Sequence, residues 1–260
     1  MRLIKEEYAV VTGASSGIGM AFAIKLASLG YNILLIARSE DKLRSLARKL
    51  SDEYNIKVGV LQADLSRTED IARIEVAIKE YKKITALINS AGFALRKKFV
   101  EQDTDKQLSM IHLHIDASTR LAKAVLPSMI EHNNGFIINV SSLLSFMDLD
   151  NNSVHCATKA YLNRFSKNLQ LEVKDKNIKV QALNAGFTMT NFHNTKEFEE
   201  VKKSYPKMFV MTPEKLIEKS MKALNSNKVI YIPGCANQLL VSFRFIFSPI
   251  LRKSLKSAPQ

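Results

Sequence analysis

One α/β domain, built on a single doubly wound parallel sheet with helices on both faces, is the architecture this sequence predicts. Three observations carry it. Short apolar runs alternate with helical stretches from the first residues onward, a glycine-rich turn follows the first run, and no linker or internal repeat interrupts the order. A chain of 260 residues suits one domain, and 46% apolar against 24% charged residues is ordinary for a globular core.

The first strand is Tyr8–Thr12, and Ile18 to Leu29 has helical apolar spacing that stops at Gly30, a natural helix C-terminus. Asn32–Ala37 reads as a second buried strand, followed by a charged helix from Ser39 to Asp52. Val58–Ala63 is the third strand, with a helix over Thr68–Tyr81, and Ala86–Asn89 is the fourth. Lys106–Glu131 is one long amphipathic helix with Pro127 near its end. Phe136–Val140 is the fifth strand, bounded by Asn133, Asn134 and Gly135. A helix over Ser153–Asp175 and a sixth strand, Lys179–Asn184, complete the pattern.

A net charge of +13 favours anionic partners, and an anionic cofactor on a solvated basic surface accounts for it. Neither zinc-finger spacing nor an interleaved aromatic and basic pattern is present, so nucleic acid is not an expected partner. Two cysteines, Cys156 and Cys235, make no disulfide framework and point to a reducing, cytoplasmic setting. The charged start, Met1 to Glu7, does not read as a signal peptide, and no apolar run is long enough to span a bilayer.

Thr12-Gly13-Ala14-Ser15-Ser16-Gly17-Ile18-Gly19 lies between the first strand and its helix. There Gly13 permits a tight turn, Gly17 lets backbone approach a pyrophosphate, and Gly19 lets helix and strand pack closely. The N–H groups at the helix start would meet the phosphates. At the end of the second strand the chain has Ala37-Arg38-Ser39, with no carboxylate to bond a ribose 2′-hydroxyl. Arg38 instead suits a 2′-phosphate, so NADP is the expected cofactor and NAD the less favoured one.

These residues resemble the short-chain dehydrogenase/reductase family, whose fold is of the Rossmann type, over roughly residues 6 to 235. Thr12–Gly19 matches its TGxxxGxG turn, Asp64-Leu65 its adenine-side pair, and Asn89-Ser90-Ala91-Gly92 its NNAG with one change. Ser141-Ser142 closes the fifth strand, Lys159 falls at the lysine of YxxxK, and Asn184-Ala185-Gly186 stands where the family has Pro-Gly after asparagine. The resemblance implies a cofactor site of Gly13, Ser15, Ser16, Gly17, Ile18, Gly19, Arg38, Asp64, Leu65, Asn89, Ala91, Gly92, Lys159, Gly186 and Thr188. It implies a catalytic group of Ser142, which orients a carbonyl, Lys159, which holds the ribose, and the positions of a tyrosine acid and a helix asparagine. It also implies a homo-oligomer, and a substrate lid over Phe187–Val210 bearing Phe192, Tyr205, Pro206, Met208 and Phe209.

Those two remaining positions carry His155 and His114. An unperturbed imidazole titrates near neutrality and can donate a proton at pH 7, although Lys159 nearby would push its pKa down. Its Nε2 ends roughly 2 Å short of a tyrosine hydroxyl, so substrate must sit deeper or a water must bridge. Tyr161, two residues past Lys159, does not share its helix face. No metal is expected, because His112 and His114 point apart and Cys156 points away from His155.

The segment 235–260 is basic and amphipathic, with Arg244, Arg252, Lys253 and Lys256 among Phe and Leu residues. It reads either as an interfacial helix on an anionic membrane, or as a terminal helix packed on a partner subunit or on the chain's own cleft. The activity expected is NADP-dependent interconversion of a carbonyl and an alcohol on an apolar small molecule, with His155 as proton donor. The alternatives are a cofactor-binding protein without turnover, and a non-redox enzyme of this fold catalysing elimination or isomerisation.

Overall fold

The computed structural model describes residues 6–95, 97–189, 209–226 and 228–243. Its main sheet has seven parallel strands in the order β3-β2-β1-β4-β5-β6-β9. Six follow the sequence pattern: β1 (Tyr8–Thr12), β2 (Asn32–Ala37), β3 (Val58–Gln62), β4 (Ile84–Asn89), β5 (Gly135–Ser142) and β6 (Ile178–Ala185). The seventh, β9 (Ile230–Tyr231), corrects the sequence reading. It is two residues long, lies within the short apolar run Val229–Ile232, and pairs with Ala182 and Leu183. Two further short strands, β7 (Phe187–Thr188) and β8 (Val210–Met211), pair with each other.

Every residue of β2 is buried because both faces of the sheet are covered. Ile33 and Leu35 face one core with Phe22, Leu26 and Leu43, while Leu34 and Ile36 face the other with Ile71, Leu121 and Val125. Side chains that alternate between two cores give an unbroken apolar strand. Each such burial stabilises by about 1.5–3 kcal/mol.

The covering helices are α1 (Gly17–Ser28), α2 (Glu40–Tyr54), α3 (Thr68–Ile78), α4 (Thr104–Ile111), α5 (Ala117–Glu131), α6 (Ser153–Val173), α7 (Pro213–Leu224) and α8 (Cys235–Ser242). Gly30, at φ 86°, ends the first in the left-handed conformation that glycine tolerates. The long helix expected from Lys106 to Glu131 is interrupted: α4 and α5 are joined by one π-helical turn, His112–Asp116. Such a turn inserts a residue into the helix and re-aims its side chains.

Strand order reverses between β1 and β4, because the chain crosses from the β3 edge back to β4 on the other side of β1. A crevice for ligands opens at such a switch point, beyond the carboxyl ends of the strands. The turn after β1 and the stretch Asn89–Gly92 therefore lie side by side at its floor. Val241 of α8 packs with Leu143 and Met147, so the start of the segment 235–260 covers the chain's own turn after β5. From residue 244 that segment lies outside the described residues. Among the described residues no helix is long and apolar enough to cross a membrane.

Candidate active site

The turn after β1 is shaped by close backbone contacts. Gly13 has φ 64°, and a Cβ there would lie 2.9 Å from the Ala91 backbone. At Gly19 a Cβ would meet the Gly13 carbonyl oxygen at 2.4 Å, so helix α1 sits against the strand end. Thr12 Oγ1 accepts from the backbone N–H groups of Ser90 and Ala91, at 2.9 and 3.1 Å, and ties this turn to the end of β4. Ser15, Ser16, Gly17 and Ile18 line the start of α1. That helix has no capping side chain and no acidic residue in its first turn. Its N-terminal amides and dipole are thus available to a phosphate, and the cradle fits a dinucleotide pyrophosphate.

Arg38 is exposed at the end of β2. On β3's side, Asp64 accepts from Ser66 N and Oγ at 3.0 and 2.7 Å, which holds its carboxylate at the crevice edge, while Leu65 is buried. Asn89 turns inward instead: its Nδ2 donates to Ser118 O at 3.2 Å and to Asn139 Oδ1 at 2.9 Å. Its side chain braces β4 against α5 and β5, and its backbone lines the crevice. Gly186 abuts the buried Asn237 of α8, whose Nδ2 would stand 2.7 Å from a Cβ at residue 186. Thr188 Oγ1 donates to Gly186 O at 3.1 Å, closing the loop after β6.

Helix α6 delivers the other half of the site on one face. His155, Lys159 and Asn163 are spaced four apart and all are buried. Lys159 Nζ donates to Val140 O at 2.9 Å, and Ser141 Oγ donates to Lys159 O at the same distance, so the lysine is clamped to β5. Burial alone lowers its pKa from 10.5 to about 8. Ser142 Oγ accepts from Leu144 N at 3.1 Å. Below it, Ser145 bonds the Ser142 carbonyl, Asn184 Oδ1 and Asn163 Nδ2 at 2.7, 2.9 and 2.7 Å.

The π turn points His114 into this cluster, 1% exposed. Thr158 Oγ1 donates to His155 O, so it accepts from His114 Nδ1, each contact being 2.9 Å. That fixes the tautomer: His114 carries its proton on Nδ1, and Nε2 is a lone pair with no partner. This nitrogen lies 2.7 Å from where a Cβ of Gly92 would be, with Lys159 Nζ at 3.7 Å from the same point. Glycine at 92 therefore makes room for the histidine. Burial, then Lys159 and His155, hold His114 well below its ordinary pKa.

His155 is 6% exposed and stands edge-on to His114, with ring centroids 5.7 Å apart. Burial first, and Lys159 second, lower its pKa from 6.5 to about 3, against an upward pull from a hydrogen bond to the Phe93 backbone. This shift disfavours the cationic form of the ring at neutral pH. The downward shift was foreseen, but burial rather than Lys159 is its main cause. A neutral ring has one N–H. Its Nδ1 is buried without a hydrogen-bond partner, and the Phe93 backbone stands beside the ring.

The structure thus brings His114, His155, Lys159 and Gly92 together, with Ser142 one strand-end away. Thr158, Asn163, Ser145, Phe93 and Asn237 went unnoticed in the sequence. The fourfold spacing of His155, Lys159 and Asn163 was the available signal for one of them. His112 is 46% exposed and pairs with Asp116 at 3.8 Å, away from the cluster. Cys156 has its thiol pushed up to about 11 by burial. Among the described residues no group of His, Cys, Asp and Glu is placed to hold a metal ion. Of the expected lid, Phe192, Tyr205, Pro206 and Met208 lie outside the described residues.

A switch-point crevice, a glycine cradle and a clamped α6 lysine define a dinucleotide-fold oxidoreductase class, and the short chain dehydrogenase pattern matches residues 7–200. The chain belongs to that family. It is 38% identical over 186 residues to the inactive hydroxysteroid dehydrogenase-like protein 1 of Pongo abelii, covering 70% of this chain and 56% of that protein. The chain therefore spans about half the length of these curated relatives. An uncharacterized oxidoreductase of Staphylococcus epidermidis is 33% identical over 204 residues, covering 78% of this chain and 87% of the relative. Among solved structures, a short-chain dehydrogenase from Sphingobium yanoikuyae in complex with NADPH aligns with a TM-score of 0.82 at 32% identity, over 98% of this chain and 96% of that one.

Proposed function

We propose that this protein binds NADP(H) and has lost fast carbonyl reduction, acting as a dinucleotide-holding member of an oxidoreductase family. The observation that carries the reading is the setting of His155: a buried imidazole, edge-on to a second buried histidine, whose charged form is strongly disfavoured by that burial. Bound NADPH supplies a hydride in this family; the protein must supply the matching proton to the carbonyl oxygen. A neutral imidazole is a far weaker acid than the imidazolium, and at a pKa of about 3 it is also a weak base for the reverse direction. His114 offers only a lone pair toward Lys159, so it accepts and does not donate.

The cofactor half is intact by contrast. Gly13, Gly17 and Gly19 with the start of α1 would hold the pyrophosphate, Arg38 a 2′-phosphate, Asp64 and Leu65 the adenine, and Lys159 the ribose of the nicotinamide. The Pongo abelii relative, named as inactive, and the NADPH complex of the Sphingobium yanoikuyae structure support the two parts of this reading.

A second reading, a slow NADP-dependent reductase of an apolar carbonyl compound, is favoured by Ser142 and Lys159 standing in place. Calorimetry with NADPH, followed by NADPH oxidation over a panel of apolar aldehydes and ketones, separates them. Tight binding with no consumption is the expected result. Turnover that disappears in His155→Ala would overturn it in favour of the second reading. Contact of residues 244–260 with an anionic membrane is a separate proposal, checked by co-sedimentation with phosphatidylserine vesicles.

A further inference from the structure

We infer that Arg73 is a second guanidinium that reads the phosphorylated ribose beside Arg38. The inference rests on the NADP(H) reading above and names a residue that neither the turn motifs nor the strand-end arginine identifies. A cavity of about 300 Å³ opens at the ends of β2 and β3, lined by Arg38, Gln62, Ala63, Asp64, Asp70 and Arg73. Ala37 and Gln62 are register partners, so these two strand ends lie side by side. Gln62 Nε2 donates to the Arg38 carbonyl at 3.1 Å, which fixes the backbone from which Arg38 projects. In a doubly wound sheet this is where the adenosine ribose arrives.

Arg73 reaches the cavity from α3 with its guanidinium anchored at one end. Nη2 donates to Gln62 O at 2.5 Å and to Asp70 Oδ1 at 3.1 Å. Asp70 is itself held, accepting from the Asp64 backbone N–H at 2.7 Å. Nε and Nη1 of Arg73 make no described hydrogen bond, and its side chain is 51% exposed. Both carboxylates of the cavity are engaged, Asp64 by Ser66 and Asp70 as above. Arg38 makes no ion pair among the described residues. Arg38 thus brings a guanidinium with no ion-pair partner, which offsets the Asp64 charge, and Arg73, part-neutralised by Asp70, brings two oriented donors.

A phosphate presents several acceptor oxygens to such a planar fork, whereas a ribose hydroxyl does not. Arg73 should therefore matter only to ligands phosphorylated at the 2′ position. Lysine, a point charge without the fork, should not replace it.

The test is calorimetry on the full chain with NADPH, NADH and adenosine 2′,5′-bisphosphate, for wild type, Arg38→Ala, Arg73→Ala, Arg73→Lys and Arg73→Gln. The glutamine variant keeps a donor for the Gln62 carbonyl and guards against simple unfolding, with thermal melts alongside. We expect Arg73→Ala and Arg73→Gln to weaken NADPH and the bisphosphate about tenfold, with NADH unchanged within about twofold. Arg73→Lys should recover little. Unchanged NADPH affinity in these variants overturns the inference, as does equal loss for NADPH and NADH, which would make Arg73 a brace for α3. A wild type that binds NADH as tightly as NADPH overturns the NADP reading itself, and the inference with it.

Discussion

The two halves of the crevice are built on different principles. The half formed by β1, α1, β2 and β4 works through backbone: close glycine contacts, free helix amides and a threonine hydroxyl that joins two turns. The half formed by β5, α6 and the π turn works through side-chain protons, and there two buried histidines stand edge to edge beside a buried lysine. Backbone sites tolerate changes in the side chains around them. A proton-transfer site depends on one atom carrying the right hydrogen, so a single replacement can silence it while the neighbouring cradle stays whole.

The sharpest way to break this contrast is His155→Tyr. A phenol reaches roughly 2 Å farther than an imidazole, and general acid catalysis contributes about 10²–10⁴-fold, so NADPH consumption with an apolar ketone should rise by at least the lower figure. No rise would mean that Ser142, Lys159 or the substrate region has also departed from the chemistry. Gly19→Val tests the other half. With its Cβ 2.4 Å from the Gly13 oxygen, the turn must shift, and we expect loss of NADPH binding by calorimetry with about 1–3 kcal/mol of destabilisation in denaturant melts.

Acid titration compares the halves by stability. His155 falls from 6.5 to about 3 on folding, so the unfolded chain binds the extra proton between those values. The stability from keeping the ring neutral is fully present above about pH 6.5 and is lost as pH falls toward 3, on the order of 5 kcal/mol at most. His155→Phe should reduce that slope in equilibrium melts, with His114 supplying the remainder, and an unchanged slope would place the lost stability elsewhere. Thr158→Val is the mildest change. Removing the acceptor of His114 Nδ1 should cost about 1–2 kcal/mol, with a shifted imidazole resonance by NMR and no effect on NADPH affinity.

Much of the fold was legible because its signals are local. Six strands stood out as apolar runs, since a strand between two cores has no polar side to show. β9 was passed over although Val229–Ile232 is apolar, because so short a run shows little period and its pairing with β6 is a long-range contact. The interruption at His112–Asp116 was equally hidden, since an added helical residue leaves the apolar spacing on either side nearly unchanged. In the site, the glycine turn, Arg38, Ser142 and Lys159 were visible as motifs at fixed spacing. Asn89 was visible too, yet its amide belongs to the core.

What the residue order determined on its own is the doubly wound sheet, the phosphate cradle and the presence of two histidines where proton chemistry is expected. Those follow from periodicity and from glycine's lack of a Cβ, which act over a few neighbouring residues. Only the tertiary structure decided that both imidazoles are buried, that Thr158 meets His114 Nδ1, and that Arg73 and Arg38 line one cavity. Burial and hydrogen-bond direction are set by groups far apart in the chain: Thr158 fixes His114, and Phe93 engages His155.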